Sequence, residues 1–274
     1  GINLCTKIWL VDRTIGYNGS LSFDDCQTMG EPMTSVLVVI PTYNESESIE
    51  SLLKRLNSAR MQISNKYEVE ILIVDDNSPD QTAVIAKNLQ LTGLKVLSRQ
   101  HKSGLGPAYL AGFKQGLLEK YEYFVEMDAD LSHQPEQLID LLNAASKENL
   151  VIGTRWIPGG SVVNWPKRRK WISKLGTGYA SFALNLPYKD LTSGYRVLPR
   201  EFLSQLDFSL IETRGYGFQI EMALKAIESG FGIKQVPITF VERENGYSKM
   251  SLAIIWEAWS MVTIWALRRL IRRR

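Results

Sequence analysis

The sequence predicts an α/β domain with a mostly parallel sheet flanked by helices. Two observations point there. From residue 36 to 155, short apolar runs rich in β-branched residues alternate strictly with segments of helical period, the signature of successive βαβ units. The apolar runs are also continuous rather than alternating, as strands buried on both faces require. A third observation concerns chemistry. Tyr43, Asn44, Glu45, Asp75, Asp76, Asn77, Asp128, Asp130 and Arg155 each follow such a run, which gathers them on the rim where open α/β sheets bind ligands.

The first strand is Val36 to Ile40, closed by Pro41. A helix follows, with Ile49, Leu52, Leu53 and Leu56 on one face. "VEILIV" is the second strand; it runs into the acidic loop "DDNSPD", and the next helix starts near Asp80 or Gln81. "LKVLSR" and "GPAYLAGFKQGLLEKY" are the third strand and helix. "EYFVEMD" is a fourth strand with a helix led by Pro135 behind it, and "LVIGTR" a fifth. Residues 1–34 carry scattered turn formers and weak periodicity, and are expected to be a poorly ordered extension.

Composition narrows the function class. Hydrophobic content of 45% and charged content of 22% are those of an ordinary globular chain. Five arginines after position 267 outweigh the net charge of +3, so the remainder is mildly acidic and no nucleic-acid surface is expected. The only cysteines, Cys5 and Cys26, form no metal-binding pair, and free thiols fit a reducing compartment. With only His101 and His133, a Ser–His–Asp hydrolase has few parts to work with. His133, beside Pro135, reads most simply as a loop or capping residue. "GLGPAY" lacks the GxGxxG spacing and follows the wrong strand for a dinucleotide site.

The pair Asp128 and Asp130 stands out. Two carboxylates so close repel unless something positive lies between them. If the chain stays extended, residues i and i+2 face the same side, and the pair can address a divalent ion, Mg²⁺ or Mn²⁺, that takes its other oxygens from a substrate diphosphate.

"VVIPTYNE", "IVDDNSPD", "KSGLGPAY", "MDADLSHQPE", "GTRW", "DLTSGYR", "GYGFQIEM" and "VPITFVERENGYSK" occur in that order. The series resembles the motifs of family 2 glycosyltransferases, and more closely those of the dolichol-phosphate (polyprenol-phosphate) mannosyltransferases, over about residues 36–250. The resemblance implies a GT-A, Rossmann-like fold across residues 35–250. It implies transfer of mannose from GDP-mannose to dolichyl or polyprenyl phosphate, with inversion to a β-linked product. By matching motif, Pro41, Tyr43, Glu45, Val74 and Asp76 would line the nucleotide pocket. Asp128, Ala129 and Asp130 would form the donor and metal site, and Arg155, Arg243 and Lys249 would contact phosphate or sugar. Asp130, Arg155 and Arg243 are the expected catalytic groups. Ser132 stands where some relatives carry Gln, so a third metal ligand is left open. A polyprenyl-phosphate glucosyltransferase using UDP-glucose, or a catalytically silent nucleotide- or lipid-binding module, are the alternatives.

The acceptor side is sketched by Arg168 and Arg169 in the cluster 167–170, flanked by Trp165 and Trp171, an arrangement suited to a membrane interface. Ser193, Arg196 and Gln219 are further acceptor candidates. Leu252 to Leu267 is apolar over roughly 24 Å, short of the ~30 Å of bilayer hydrocarbon, and Glu257 interrupts it. With Trp256, Trp259 and Trp265 and the arginines behind them, residues 251–274 read as an amphipathic, basic helix lying on a membrane. The expected location is peripheral, on the cytoplasmic face, with room for a membrane-anchoring partner protein.

Overall fold

The computed structural model describes residues 33–213, 215, 217–242 and 252–272, with backbone alone at 252–258, 270 and 272. The expected N-terminal extension, apart from 33 and 34, lies outside the described residues, as do Arg243 and Lys249.

Seven strands form the central sheet in the order β3-β2-β1-β4-β7-β5-β8. They are β1 (Thr34–Thr42), β2 (Tyr67–Asp75), β3 (Leu94–Ser98), β4 (Tyr123–Glu126), β5 (Asn149–Thr154), β7 (Arg196–Pro199) and β8 (Gly232–Pro237). Every pairing is parallel except those of β7, which runs against both β4 and β5. Short strands β6 (Ser161–Val163) and β9 (Thr239–Val241) pair separately, in parallel.

Period-2 burial divides the core. Val36, Val38 and Ile40 of β1 face α1 (Ile49–Gln62), α2 (Thr82–Asn88) and α4 (Leu138–Asn143). Leu37 and Val39 face α3 (Leu105–Leu117), α6 (Arg200–Gln205) and α7 (Gly217–Glu228). Both faces are covered, as the unbroken apolar runs foretell. Helix α3 sits close on the sheet because Gly112 has no side chain: a Cβ there would lie 2.4 Å from Val39 Cγ1. Val74 belongs to this core, with its side chain fully buried opposite Gly112. Against the expectation that it lines a pocket, Val74 borders neither cavity of the rim, because the inward phase of β2 turns it under α3.

Two helices lie outside the sheet layers, α5 (Lys167–Ala183) and α8 (Leu252–Arg272). They pack together, with the Tyr179 ring stacked on Trp259 at 4.7 Å and the Tyr179 hydroxyl 2.6 Å from that of Thr263. Helix α8 extends past the apolar stretch read from the sequence, to 21 residues. Among the described residues no helix is long and apolar enough to cross a membrane.

The reversed strand brings a further loop to the ligand-binding rim. Its first residue, Arg196, pairs with Glu126, the last residue of β4. The loop that precedes β7 therefore reaches the same rim as the loops that follow the parallel strands.

Candidate active site

Loops after β1, β2 and β3 are stitched together by their own polar side chains. Asp75 accepts from the Thr42 hydroxyl at 2.7 Å and from the Ser78 hydroxyl and amide at 2.6 and 2.9 Å. Asp80 accepts from the Ser46 amide and Thr82 hydroxyl, and the Thr82 hydroxyl in turn takes the Glu45 amide. Asp75 is thus committed to holding the loop. Its neighbour Asp76 accepts from Arg99 at 2.7 Å and from the Ser103 amide at 3.0 Å, and lines a cavity.

That cavity, about 380 Å³, crosses the rim. Over β1 to β3 its wall is Pro41, Tyr43, Glu45, Asp76 and Lys102, the last with its ammonium 4.0 Å above the Tyr43 ring. Over β4 and β7 the wall becomes Asp128, Ala129, Asp130, Thr192, Gly194 and Gln219. A second cavity, about 270 Å³, opens on the other side of the same carboxylates. Asp128, Asp130, Ser132, His133, Arg155 and Arg169 form its polar end. Ile172, Leu175 and Tyr179 of α5 with Trp259 and Val262 of α8 form its apolar end. Asp128, Asp130, Thr192 and Gly194 border both cavities.

The chain does not stay extended through the acidic pair. Strand β4 stops at Glu126, residues 129–131 form a bend, and Leu131 takes a left-handed φ of 64°. Local hydrogen bonds, not the pleat, bring the two carboxylates to one wall. The Ser132 amide donates to Asp130 Oδ1 at 3.0 Å and the Asp128 amide to His133 Nδ1 at 3.0 Å. His133 is fully buried, stacked on Tyr195 and edge-on to Phe240; burial pushes its pKa down.

Below the pair lies a buried polar group that sequence reading missed. Glu126 and Arg196 are both wholly buried and 4.0 Å apart. Burial raises the Glu126 carboxyl to about 7, against the pull of Arg196, and lowers Arg196 to about 10. The Gln219 amide lies near enough to favour the Glu126 anion slightly, though without a hydrogen bond of ordinary geometry. Arg196 donates to the backbone carbonyls of Ser193, Gln219 and Leu191 at 2.6–2.7 Å. It therefore braces the loop before β7 and touches neither cavity, contrary to its expected acceptor role. Ser193 is also buried and lines neither cavity.

Arg155 is held from one side. Its amide and Nε donate to Asp190 Oδ2 at 3.0 and 2.7 Å, and its Nη2 to Asp190 Oδ1 at 2.7 Å and to Thr192 at 3.0 Å. Aromatic rings of Trp165 and Phe240 lie 5.5 and 5.3 Å from its guanidinium. Trp165 is thus buried beneath the second cavity rather than at an interface, whereas Trp171 is 67% exposed. Arg169 reaches the second cavity and pairs with Glu242, whereas Arg168 is exposed and lines neither. Gln219 lines the first cavity and not the second. Glu221 is occupied by the amides of Glu212 and Thr213.

Among the described residues no three His, Cys, Asp or Glu side chains could enclose a metal ion. Two carboxylates on one wall fit instead an ion that completes its oxygen shell from a bound diphosphate.

Comparison with known proteins places this geometry. Residues 37–207 match the model of glycosyl transferase family 2. Over 248 residues, 89% of this chain and 91% of the relative, the chain is 46% identical to a polyprenol monophosphomannose synthase of Mycolicibacterium smegmatis. It is 48% identical over 234 residues, 85% of this chain and 94% of the other, to an undecaprenyl-phosphate mannosyltransferase of Micrococcus luteus. In fold it is similar to glucosyl-3-phosphoglycerate synthase of Mycobacterium tuberculosis, solved with Mn²⁺, UDP-glucose and phosphoglyceric acid. That likeness has a TM-score of 0.61 at 20% identity and covers 92% of this chain and 84% of that one. The chain belongs to glycosyl transferase family 2.

Proposed function

We propose that the chain transfers mannose from GDP-mannose to a polyprenyl or dolichyl phosphate, with inversion, releasing GDP. The observation that carries this reading is the pair of cavities meeting at Asp128 and Asp130, one walled by polar loops and one ending between apolar helices. The names of the relatives at 46–48% identity supply the sugar and the lipid class.

In this reading Pro41, Tyr43, Glu45 and Asp76 receive the base and ribose. Asp128 and Asp130 would hold Mg²⁺ or Mn²⁺ together with the diphosphate, and the ion would neutralise charge on the departing group. Arg243 and Lys249, outside the described residues, are the further cations that the family motifs assign to phosphate or sugar. The acceptor phosphate lies at the polar end of the second cavity, oriented by Arg155 and Arg169, with its prenyl chain between α5 and α8. One of its oxygens bonds to the anomeric carbon as the bond from that carbon to the diphosphate breaks on the opposite face. A phosphate monoester is ionised at neutral pH, so the attack calls for no strong base. Arginines at the polar end of the cavity would stabilise such an anion by charge and hydrogen bonding.

The exposed side of the helix pair suits a bilayer surface. Trp171, Leu175 and Phe182 are 67, 61 and 87% exposed along one face of α5, next to Lys167, Arg168 and Lys174. Leu267 and Ile271 of α8 are likewise exposed. A peripheral position on the cytoplasmic face places the donor cavity toward soluble nucleotide sugar.

The test is a donor and acceptor assay on purified protein with Mg²⁺ or Mn²⁺. Labelled mannose should pass from GDP-mannose to polyprenyl phosphate, and Asp130→Ala should reduce turnover by at least a hundredfold without unfolding the chain. Product from UDP-glucose alone selects the glucosyl donor instead, and no lipid-linked product from either sugar rejects the enzyme reading.

A further inference from the structure

Past the end of β4 the backbone leaves the sheet. The Met127 amide still reaches Val39 at 3.3 Å, but the Asp128 amide has no strand to bond to. An amide left unpaired at such a place costs about 1–3 kcal/mol, and here its acceptor is the Nδ1 of His133. Because that nitrogen accepts, it carries no proton, and the hydrogen of the neutral ring sits on Nε2. The ring cannot drift, since Tyr195 covers one face at 5.0 Å and Phe240 closes the edge at 5.4 Å. Strand β9 fixes the other end of the turn, through the Val241 amide on the Ser132 carbonyl at 3.1 Å.

We propose that His133 is a positioning residue for the donor site: its Nδ1, by holding the Asp128 amide, fixes the backbone from which the Asp128 carboxylate projects. The proposal rests on the reading of Asp128 and Asp130 as the metal–diphosphate site. It makes His133 neither a metal ligand at Nδ1 nor a proton carrier there, because that lone pair is already engaged. It also separates two things the side chain provides, an aromatic plate between Tyr195 and Phe240 and a single directed acceptor.

Two substitutions take these apart. His133→Phe keeps the plate and removes the acceptor, whereas His133→Asn keeps an acceptor oxygen near the Nδ1 position and removes the plate. Binding of Mn²⁺ in the presence of GDP, followed by the electron paramagnetic resonance of free Mn²⁺, reads the geometry of the carboxylates without turnover. Thermal melting reports folding. His133→Phe should bind Mn²⁺ roughly tenfold more weakly while still folded, as loss of a supporting hydrogen bond does. His133→Asn should stay within about threefold of wild type. Wild-type affinity in His133→Phe, or an equal loss in both variants, overturns the proposal. If either variant fails to fold, the unsubstituted protein decides: two-bond ¹H–¹⁵N spectra should show Nε2 protonated and Nδ1 bare, and a proton on Nδ1 overturns it. Failure of the wild-type protein to bind Mn²⁺ with GDP would instead strike the donor-site reading, and the ring spectra would still judge His133.

Discussion

Asp190, a buried carboxylate, takes three hydrogen bonds from Arg155, two from its guanidinium and one from its amide. The two residues are 35 apart in the chain, and Asp190 stands before a strand rather than after one, so its motif "DLTSGYR" does not reveal that it holds Arg155. Arg99 beside Asp76 and His133 beneath Asp128 are hidden for the same reason: what each does depends on a partner that the sequence does not name. Asp128 and Asp130 themselves were readable, because a doubled carboxylate at a strand end is conspicuous on its own. Val74 and Arg196 mislead in the opposite direction. Each stands beside cavity-lining residues or within a family motif in sequence, yet strand alternation turns Val74 inward and the reversed β7 buries Arg196 against Glu126. Asp190→Ala removes the buried carboxylate that takes three hydrogen bonds from Arg155, which should lower stability by about 3–5 kcal/mol in urea denaturation. Asp190→Asn keeps one acceptor oxygen and should lose less stability. It should still lower turnover about tenfold through a higher KM for the lipid phosphate, as misdirection of Arg155 requires.

At the level of elements, the alternation of strand and helix up to β5 follows from apolar periodicity alone. Beyond Thr154 that periodicity no longer tells the order of events. Strand β7 has four residues, β6 and β9 have three each, and an antiparallel insertion leaves no local mark. The helix pair shows how a composition signal can be half right. The basic cluster with flanking tryptophans suggests a membrane contact, but Pro166 starts α5 between them. Trp165 falls on the inner side and Trp171 on the outer. The apolar surface continues through Leu175 and Phe182, at the helical spacing of one face. Replacing Trp171, Leu175 and Phe182 by serine should leave the melting temperature nearly unchanged, since all three are exposed. It should reduce co-sedimentation with anionic liposomes at least tenfold, and unaltered sedimentation would assign that face to something other than a bilayer.

For the molecule as a whole, the decisive arrangement is that one short wall serves two chambers. Parallel strands deliver Asp76, Asp128 and Asp130 to the rim from one direction, and the single reversed strand delivers Thr192 and Gly194 from the other. Gly194 borders both chambers. A methyl group placed on it would stand 3.5–3.6 Å from His133 Cε1, Gln219 Nε2 and Asp128 Oδ1. Those are ordinary contact distances, so the added carbon fits without strain and stands among three side chains that wall the chambers. In the proposed reaction the sugar meets the acceptor phosphate at this wall, where the missing side chain of Gly194 leaves room. Gly194→Ala should therefore melt within a few degrees of wild type and still retain GDP in an equilibrium binding measurement. Sugar transfer should nevertheless fall by more than tenfold, because the methyl group takes the room at the wall that the two proposed reactants share.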